Sequence, residues 1–266
     1  ETDPAKQQQF AAATFKLGEK QYFTAFRGTD NTIVGWRENM DLAYNEEVPS
    51  QKAAVKYINE ATKELKGKFI LGGHSKGGNL AVYAAACCFK RAFKKITAVY
   101  NFDGPGFNDI VLNKKEFHNI FDKVHTYVPQ DSLIGMLLKH REPYKVIKST
   151  RSSGITQHQM DTWEVGPHSV MQAKDLTSSS KFMNESIAEW IDSMTYEDKK
   201  QFIDIVFGLV DNLDKVDDLF SVKNLRAIQK EYSALDEDSR KKVTGVLDGF
   251  SDSIVGNIRE RFRNLW

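Results

Sequence analysis

The amino-acid sequence predicts an α/β chain, a mainly parallel sheet flanked by helices, with a helical C-terminal extension. Three observations predict it. Short apolar runs alternate with helical periodicity through residues 1–180, the pattern of strand–helix–strand units. An apolar strand, a glycine-rich turn and an alanine-rich helix follow one another from Phe69 to Phe93. Residues 181–266 hold no proline and no histidine, and show apolar residues at three- and four-residue spacing almost throughout.

Along the first segment, Tyr22, Phe23, Ala25 and Phe26 form a short aromatic strand. Gln51 to Leu65 reads as a helix, with Ala54, Ile58, Ala61 and Leu65 on one face. Phe69 to Gly72 is a strand and Gly77 to Phe93 an apolar helix. Ile96–Phe102, Val124–Val128 and Tyr144–Ile147 are further strands. In the second segment, Met183–Met194, Tyr196–Phe220, Val222–Tyr232 and Asp236–Phe262 read as helices. Thr195 with Asp198, and Asp236 with Ser239, resemble helix starts. The boundary is placed at the polar joint Thr177–Ser180, giving a 1–180 domain and a 181–266 helical region.

Composition excludes several classes. Hydrophobic residues at 41% supply a core, which excludes a disordered chain. The apolar run through Ala81 to Phe89 is far too short for the roughly 20 residues that span a bilayer. Net charge is +1, and no basic stretch interleaved with aromatics predicts nucleic-acid binding. Cys87 and Cys88 are adjacent and have no metal-ligand spacing. A reduced, cytoplasmic setting is therefore the expectation, with the upstream sequence left open because the chain begins at Glu1.

The segment Gly73-His74-Ser75-Lys76-Gly77 carries G-x-S-x-G between strand and helix. A serine on so tight a turn needs a strained backbone, and small residues two positions away on each side. The helix then brings free N–H groups toward a developing oxyanion. The alternative is a glycine-rich turn without chemistry, or a phosphate cradle. Lys76 opposes the helix dipole; it is solvated, or it pairs with an acid or a substrate anion.

A serine nucleophile needs a base, and the base needs an orienting carboxylate. Asp131, after the Val124–Val128 strand, is the first candidate acid; Asp103, after Ile96–Phe102, is its rival. Asp131 could equally cap a helix over Ser132–Leu138. His158, in the loop Gly154–His158, is the candidate base, with His168 second. His74 precedes the nucleophile and points the wrong way, His118 lies in a charged helix, His125 sits within a strand, and His140 lies in a basic, solvated stretch. For the second oxyanion donor the loop Arg27-Gly28-Thr29 is the candidate, Gly28 allowing close approach and Thr29 giving its N–H. Arg27 reads as a buried structural ion pair.

Taken in order, Ala25-Phe26-Arg27-Gly28-Thr29, Gly73-His74-Ser75-Lys76-Gly77-Gly78-Asn79-Leu80-Ala81, Asn101-Phe102-Asp103-Gly104-Pro105-Gly106-Phe107, Val128-Pro129-Gln130-Asp131 and Gln157-His158 resemble the class 3 triacylglycerol lipases. The chain looks closer still to a bacterial branch of that α/β-hydrolase superfamily, of unassigned activity, with the same G-H-S-K-G-G-N elbow. The resemblance covers residues 20–165. It implies the α/β-hydrolase fold, Ser75 as nucleophile, Asp131 as acid, His158 as base, and Thr29 and Lys76 as backbone oxyanion donors. It also implies a lid over Thr32–Met40, where Trp36 and Met40 would cover an acyl site or Trp36 would be buried structure. Two departures stand out. Lys76 occupies a position usually apolar in the lipases, and the tail after residue 180 has no counterpart there.

The expected function is a serine hydrolase of carboxylic esters, lipase- or esterase-like, working through an acyl-enzyme without metal or organic cofactor. Its substrate would be a small-molecule or lipid ester. The alternative is a binding or regulatory protein that keeps the fold and works through its helical tail. The tail's net charge of −4 argues against an anionic membrane surface; other membrane contact and a protein partner for the tail are left open.

Overall fold

A computed structural model of the chain describes residues 2–30, 32–152, 154–210, 213, 215 and 221–263. A two-stranded ribbon, β1 (Thr2–Asp3) with β2 (Gln8–Gln9), precedes a six-stranded sheet. The sheet runs β3 (Ala12–Gly18), β4 (Gln21–Phe26), β5 (Lys68–His74), β6 (Ile96–Phe102), β7 (Val124–Pro129), β8 (Tyr144–Ile147), in that spatial order. Only β3 is antiparallel to its neighbour; β4 to β8 are parallel. The fold is thus mixed α/β with a mostly parallel sheet flanked by helices.

Strand order that follows chain order, with right-handed crossovers, puts successive helices on one face. Helices α2 (Pro49–Glu64) and α3 (Lys76–Cys87) accordingly pack together, with α3 lying on β5 and β6. Ala81, Ala84 and Ala85 have no exposed surface, so α3 approaches the sheet closely. On β6, Val99 and Asn101 are buried while Tyr100 and Phe102 alternate to the other face. There they stack on the Tyr127 ring of β7, at 6.4 and 5.7 Å between centroids.

Strand β3 has no counterpart in the sequence reading. It is an edge strand with Phe15 and Leu17 more than half exposed, so it lacks the buried apolar alternation that marks a strand. The helix expected over Gly77–Phe93 is divided. Cys88 is extended, the Phe89 N–H donates to Asn59 Oδ1 at 2.9 Å, and α4 (Lys90–Phe93) starts afresh.

Two short helices, α1 (Ile33–Asp41) and α5 (Asp109–Leu112), sit in the connections after β4 and β6, and α6 (Gly154–Gln157) is a single turn after β8. The tail forms α7 (Ser178–Ser193), α8 (Tyr196–Gly208), α9 (Val222–Ala234) and α10 (Glu237–Arg263). The helix expected from Tyr196 stops at Gly208; part of its remainder lies outside the described residues. The expected starts form: Thr195 and Asp198 make a reciprocal capping box, and Asp236 accepts the Ser239 N–H at 2.8 Å. Helix α10 packs on α7 and α8, where the Trp190 indole donates to the Val246 carbonyl at 2.8 Å and its ring meets Phe250 and Phe202. The tail also returns to the first segment: Arg37 of α1 pairs with Asp204 of α8, and Tyr44 meets Tyr196 edge-on. Among the described residues no helix is long and apolar enough to cross a membrane.

Candidate active site

Ser75 stands between the end of β5 and the start of α3 with φ 57° and ψ −133°. That is a strained conformation for a residue with a Cβ, on the order of 1–3 kcal/mol, and such strain concentrates at functional turns. Ser75 N–H donates to Phe102 O, and its own carbonyl accepts from Gly78 N–H, both at 2.9 Å. The glycines on either side are there for lack of room. A Cβ on Gly73 would lie 2.3 Å from the Gly77 backbone, and one on Gly77 would lie 2.2 Å from Phe26 O.

Asp103 follows β6 with φ 50°, a left-handed conformation that Asp tolerates better than most residues. Its side chain is fully buried. Oδ2 lies 2.7 Å from His158 Nδ1, and Oδ1 accepts from Ser132 Oγ at 2.6 Å. Asp131 does not take the place expected of it. Its carboxylate accepts from Thr177 Oγ1 at 2.5 Å and Ser179 Oγ at 3.0 Å, at the start of α7. The physical reason lies in the chain after β7. Residues 132–138 form turns and not a helix, so Asp131 has no N-terminus of its own to cap. Its lone pairs go to hydroxyls at the α7 end. Asp131 meets the histidine loop through its backbone, donating N–H to Gln157 Oε1 at 2.9 Å.

His158 follows the single turn of α6 and is held from several sides. The Trp163 indole donates to Gln157 O at 2.8 Å. His74 Nε2 lies 2.7 Å from His158 O, and the two rings are 4.4 Å apart. A carbonyl can only accept, so His74 carries its proton on Nε2. A carboxylate at His158 Nδ1 likewise draws the proton there and leaves Nε2 free to accept. Burial first, and the neighbouring His158 charge second, push the His74 imidazole below its usual range. Local sequence gives His74 no role; the signal that could find it is its place beside the candidate nucleophile at a strand end.

The other histidines lie elsewhere. His140, expected in solvent, has a side chain only 6% exposed: Nδ1 meets Glu142 Oε1 at 2.9 Å and Nε2 meets Gly135 O at 2.7 Å. Gly135 in turn backs onto Asp103, where an added Cβ would fall 2.0 Å from Oδ1. His118 lies in a 3-10 turn, His125 is in β7 and His168 is exposed. Burial raises the thiols of Cys87 to about 11 and Cys88 to about 12, which keeps them from acting as nucleophiles at neutral pH.

Around the elbow, Gly28 packs so closely that a Cβ would lie 2.8 Å from His74 O. Thr29 follows it, and Thr29 Oγ1 donates to Asn39 Oδ1 at 2.9 Å. Lys76 is the next residue after Ser75. Its side chain is fully buried and Nζ donates to Glu38 Oε2 at 2.8 Å and Gln9 O at 2.9 Å. Burial pulls the ammonium below its usual range, and the charge and hydrogen bond of Glu38 oppose that. Of the sequence alternatives for Lys76, the pair with an acid is the one formed. Arg27 corrects the other way: its side chain is 62% exposed, with Asp30 at 3.9 Å. Trp36 and Met40 of α1 are partly exposed, at 37% and 42%.

A cleft of about 220 Å³ between α7, α8 and the first segment is lined by Phe107, Leu138, Ile191 and Tyr196, among others, and by neither Ser75 nor His158.

The chain is 28% identical over 154 residues to an extracellular phospholipase A1 of Serratia liquefaciens, a match of 54% of this chain and 42% of that protein. This chain therefore spans less than half the length of that relative. A crystal structure of M37 lipase overlaps 48% of this chain and 49% of its own, at 16% identity and a TM-score of 0.35, too slight a likeness to bear on the fold. A family match takes in the ribbon, the whole sheet, the elbow, the His158 loop and the first two tail helices: over residues 1–208 this chain belongs to the Mbeg1-like family.

Proposed function

We propose that this chain is a serine hydrolase of carboxylic esters on an α/β-hydrolase fold, with Ser75, His158 and Asp103 as its triad. The single observation that carries the reading is the buried Asp103 carboxylate 2.7 Å from Nδ1 of His158. His158 is held by its carbonyl to His74, the residue before Ser75. The strained Ser75 backbone and the likeness to a phospholipase A1 support it further.

In this mechanism Ser75 Oγ attacks the acyl carbonyl and its proton passes to His158 Nε2. Asp103 holds the imidazole in the required tautomer and offsets the positive charge that forms on it. The backbone N–H groups of Thr29 and Lys76 receive the oxyanion, in the first turn of α3 where the dipole favours negative charge. His158 then returns the proton to the leaving alcohol, and water repeats the sequence to release the acid. The substrate class is a lipid or smaller carboxylic ester.

The test is labelling by a fluorophosphonate probe beside Ser75→Ala and His158→Ala. Labelling of the parent, abolished in the first variant and reduced by about 10³-fold or more in the second, is expected. A folded parent that neither labels nor turns over ester, with or without detergent, would sink the proposal in favour of a binding protein.

A further inference from the structure

We infer that the buried pair Glu38–Lys76, together with Gln9, is a positioning device that holds the two oxyanion donors at a fixed separation. The inference rests on the ester-hydrolase reading and adds residues to it.

The two donors come from different segments. Lys76 N–H belongs to the start of α3; Thr29 N–H belongs to the loop after β4. Strands β4 and β5 bring the two segments side by side as far as Phe26 and Gly73, and Gly28 packs on His74 O. Beyond that pairing, the side chains of Lys76 and Thr29 are joined by a closed circuit of polar contacts. Lys76 Nζ donates to Glu38 Oε2 at 2.8 Å. Glu38 stands on α1 beside Asn39, whose Oδ1 accepts from Thr29 Oγ1 at 2.9 Å. One turn of α1 therefore grips both donor residues. The return path runs through Gln9: its carbonyl accepts from Lys76 Nζ at 2.9 Å, its N–H donates to Glu38 Oε2 at 3.2 Å, and its Nε2 reaches Gly28 O at 3.4 Å, one residue before Thr29. The remaining Glu38 oxygen accepts from Ser50 N–H at 2.7 Å, which ties the circuit to the start of α2.

Stability does not account for this arrangement. Both charged side chains have no exposed surface, and a buried ion pair is often no better for stability than apolar residues of the same volume. A lysine in the first helical turn also opposes the dipole. Directionality is what the pair adds. An ion pair with several hydrogen bonds tolerates little displacement, whereas methyl groups slide. An oxyanion hole needs that property, because donors must meet the oxyanion at a set distance before it forms.

The experiment uses the full chain with a short-chain p-nitrophenyl ester and an alkyl trifluoromethyl ketone as transition-state analogue. The double variant Glu38→Gln/Lys76→Met removes both charges and leaves the volume nearly unchanged. Gln9→Leu removes only the link to Gly28 and its unpartnered buried Oε1, so it keeps the test open if the double variant fails to fold. For the double variant, kcat falls by about 10- to 100-fold while KM stays within about twofold. Affinity for the ketone falls by the same factor as kcat/KM, and the melting temperature does not fall in step. Gln9→Leu moves the same two quantities in parallel and less far. Variants that fold and keep the parent's kcat and ketone affinity overturn the inference alone. A parent inert toward the ester overturns the hydrolase reading and this inference with it.

Discussion

His74 donates its Nε2–H to the carbonyl oxygen of His158 at 2.7 Å, and the two rings lie 4.4 Å apart. The residue before the candidate nucleophile thus holds the backbone of the candidate base. Burial and then the His158 charge depress its basicity, so the unfolded chain binds a proton at His74 more readily than the folded one. The stability contributed by neutral His74 is therefore fully present above about pH 6.5 and is lost as pH falls through the lower folded value. His74→Gln keeps a donor and removes the titration. Urea midpoints from pH 8 to 5 should fall more steeply for the parent than for this variant. Parallel curves would show that His74 is not the group responsible.

The two aspartates separate cleanly. Asp103→Asn leaves the imidazole facing an amide and should lower kcat/KM for an ester by about 10³-fold or more. Asp131→Asn loses acceptor strength toward Thr177 and Ser179 at the start of α7, costing about 1 kcal/mol of stability with activity within about threefold. Side-by-side turnover and urea melts decide the assignment, and a larger activity loss in the Asp131 variant would reverse it.

Gly28→Ala forces a methyl group to within 2.8 Å of His74 O. A methyl group against a backbone carbonyl cannot give way cheaply, so a loss of about 1–3 kcal/mol is expected, with the loop moving off the elbow. Thr29 moves with it, and kcat should fall more than KM rises. Unchanged kcat in a destabilised variant would mean that Thr29 N–H is not a donor.

The tail depends on Trp190. Its indole holds the Val246 carbonyl and its ring meets Phe250 and Phe202, so Trp190→Ala should cost the α7–α8–α10 packing about 2 kcal/mol. Amide exchange should rise in α10 while β5, β6 and β7 keep their protection. Exchange rising equally in the central strands would mean that tail and sheet unfold as one unit.

The elements of the sheet's centre were legible because their signal is local. Ile96–Phe102 and Val124–Val128 are rich in β-branched and aromatic residues and so read as strands whatever lies beside them, and the turn at Ser75 declares itself through glycines that the crowding of β4, β5 and α3 demands. The edge strand β3 escaped because an exposed edge buries too little to leave an alternating pattern. His140 escaped for a related reason: a basic neighbourhood in the sequence says nothing of the Glu142 carboxylate and Gly135 carbonyl folded around it.

By itself, the sequence determined a mostly parallel α/β chain, a serine on a strand-to-helix turn, and two aspartates at consecutive strand ends. Only the tertiary structure decided which aspartate faces the imidazole. Asp103 and Asp131 end neighbouring parallel strands and are equivalent in local pattern. The difference is made by where β8, α6 and the start of α7 come to rest. The partner of Lys76 was equally beyond the sequence, since Glu38 reaches it only because α1 folds back onto the elbow. Strands and turns follow from neighbours in the chain; side-chain partners follow from packing.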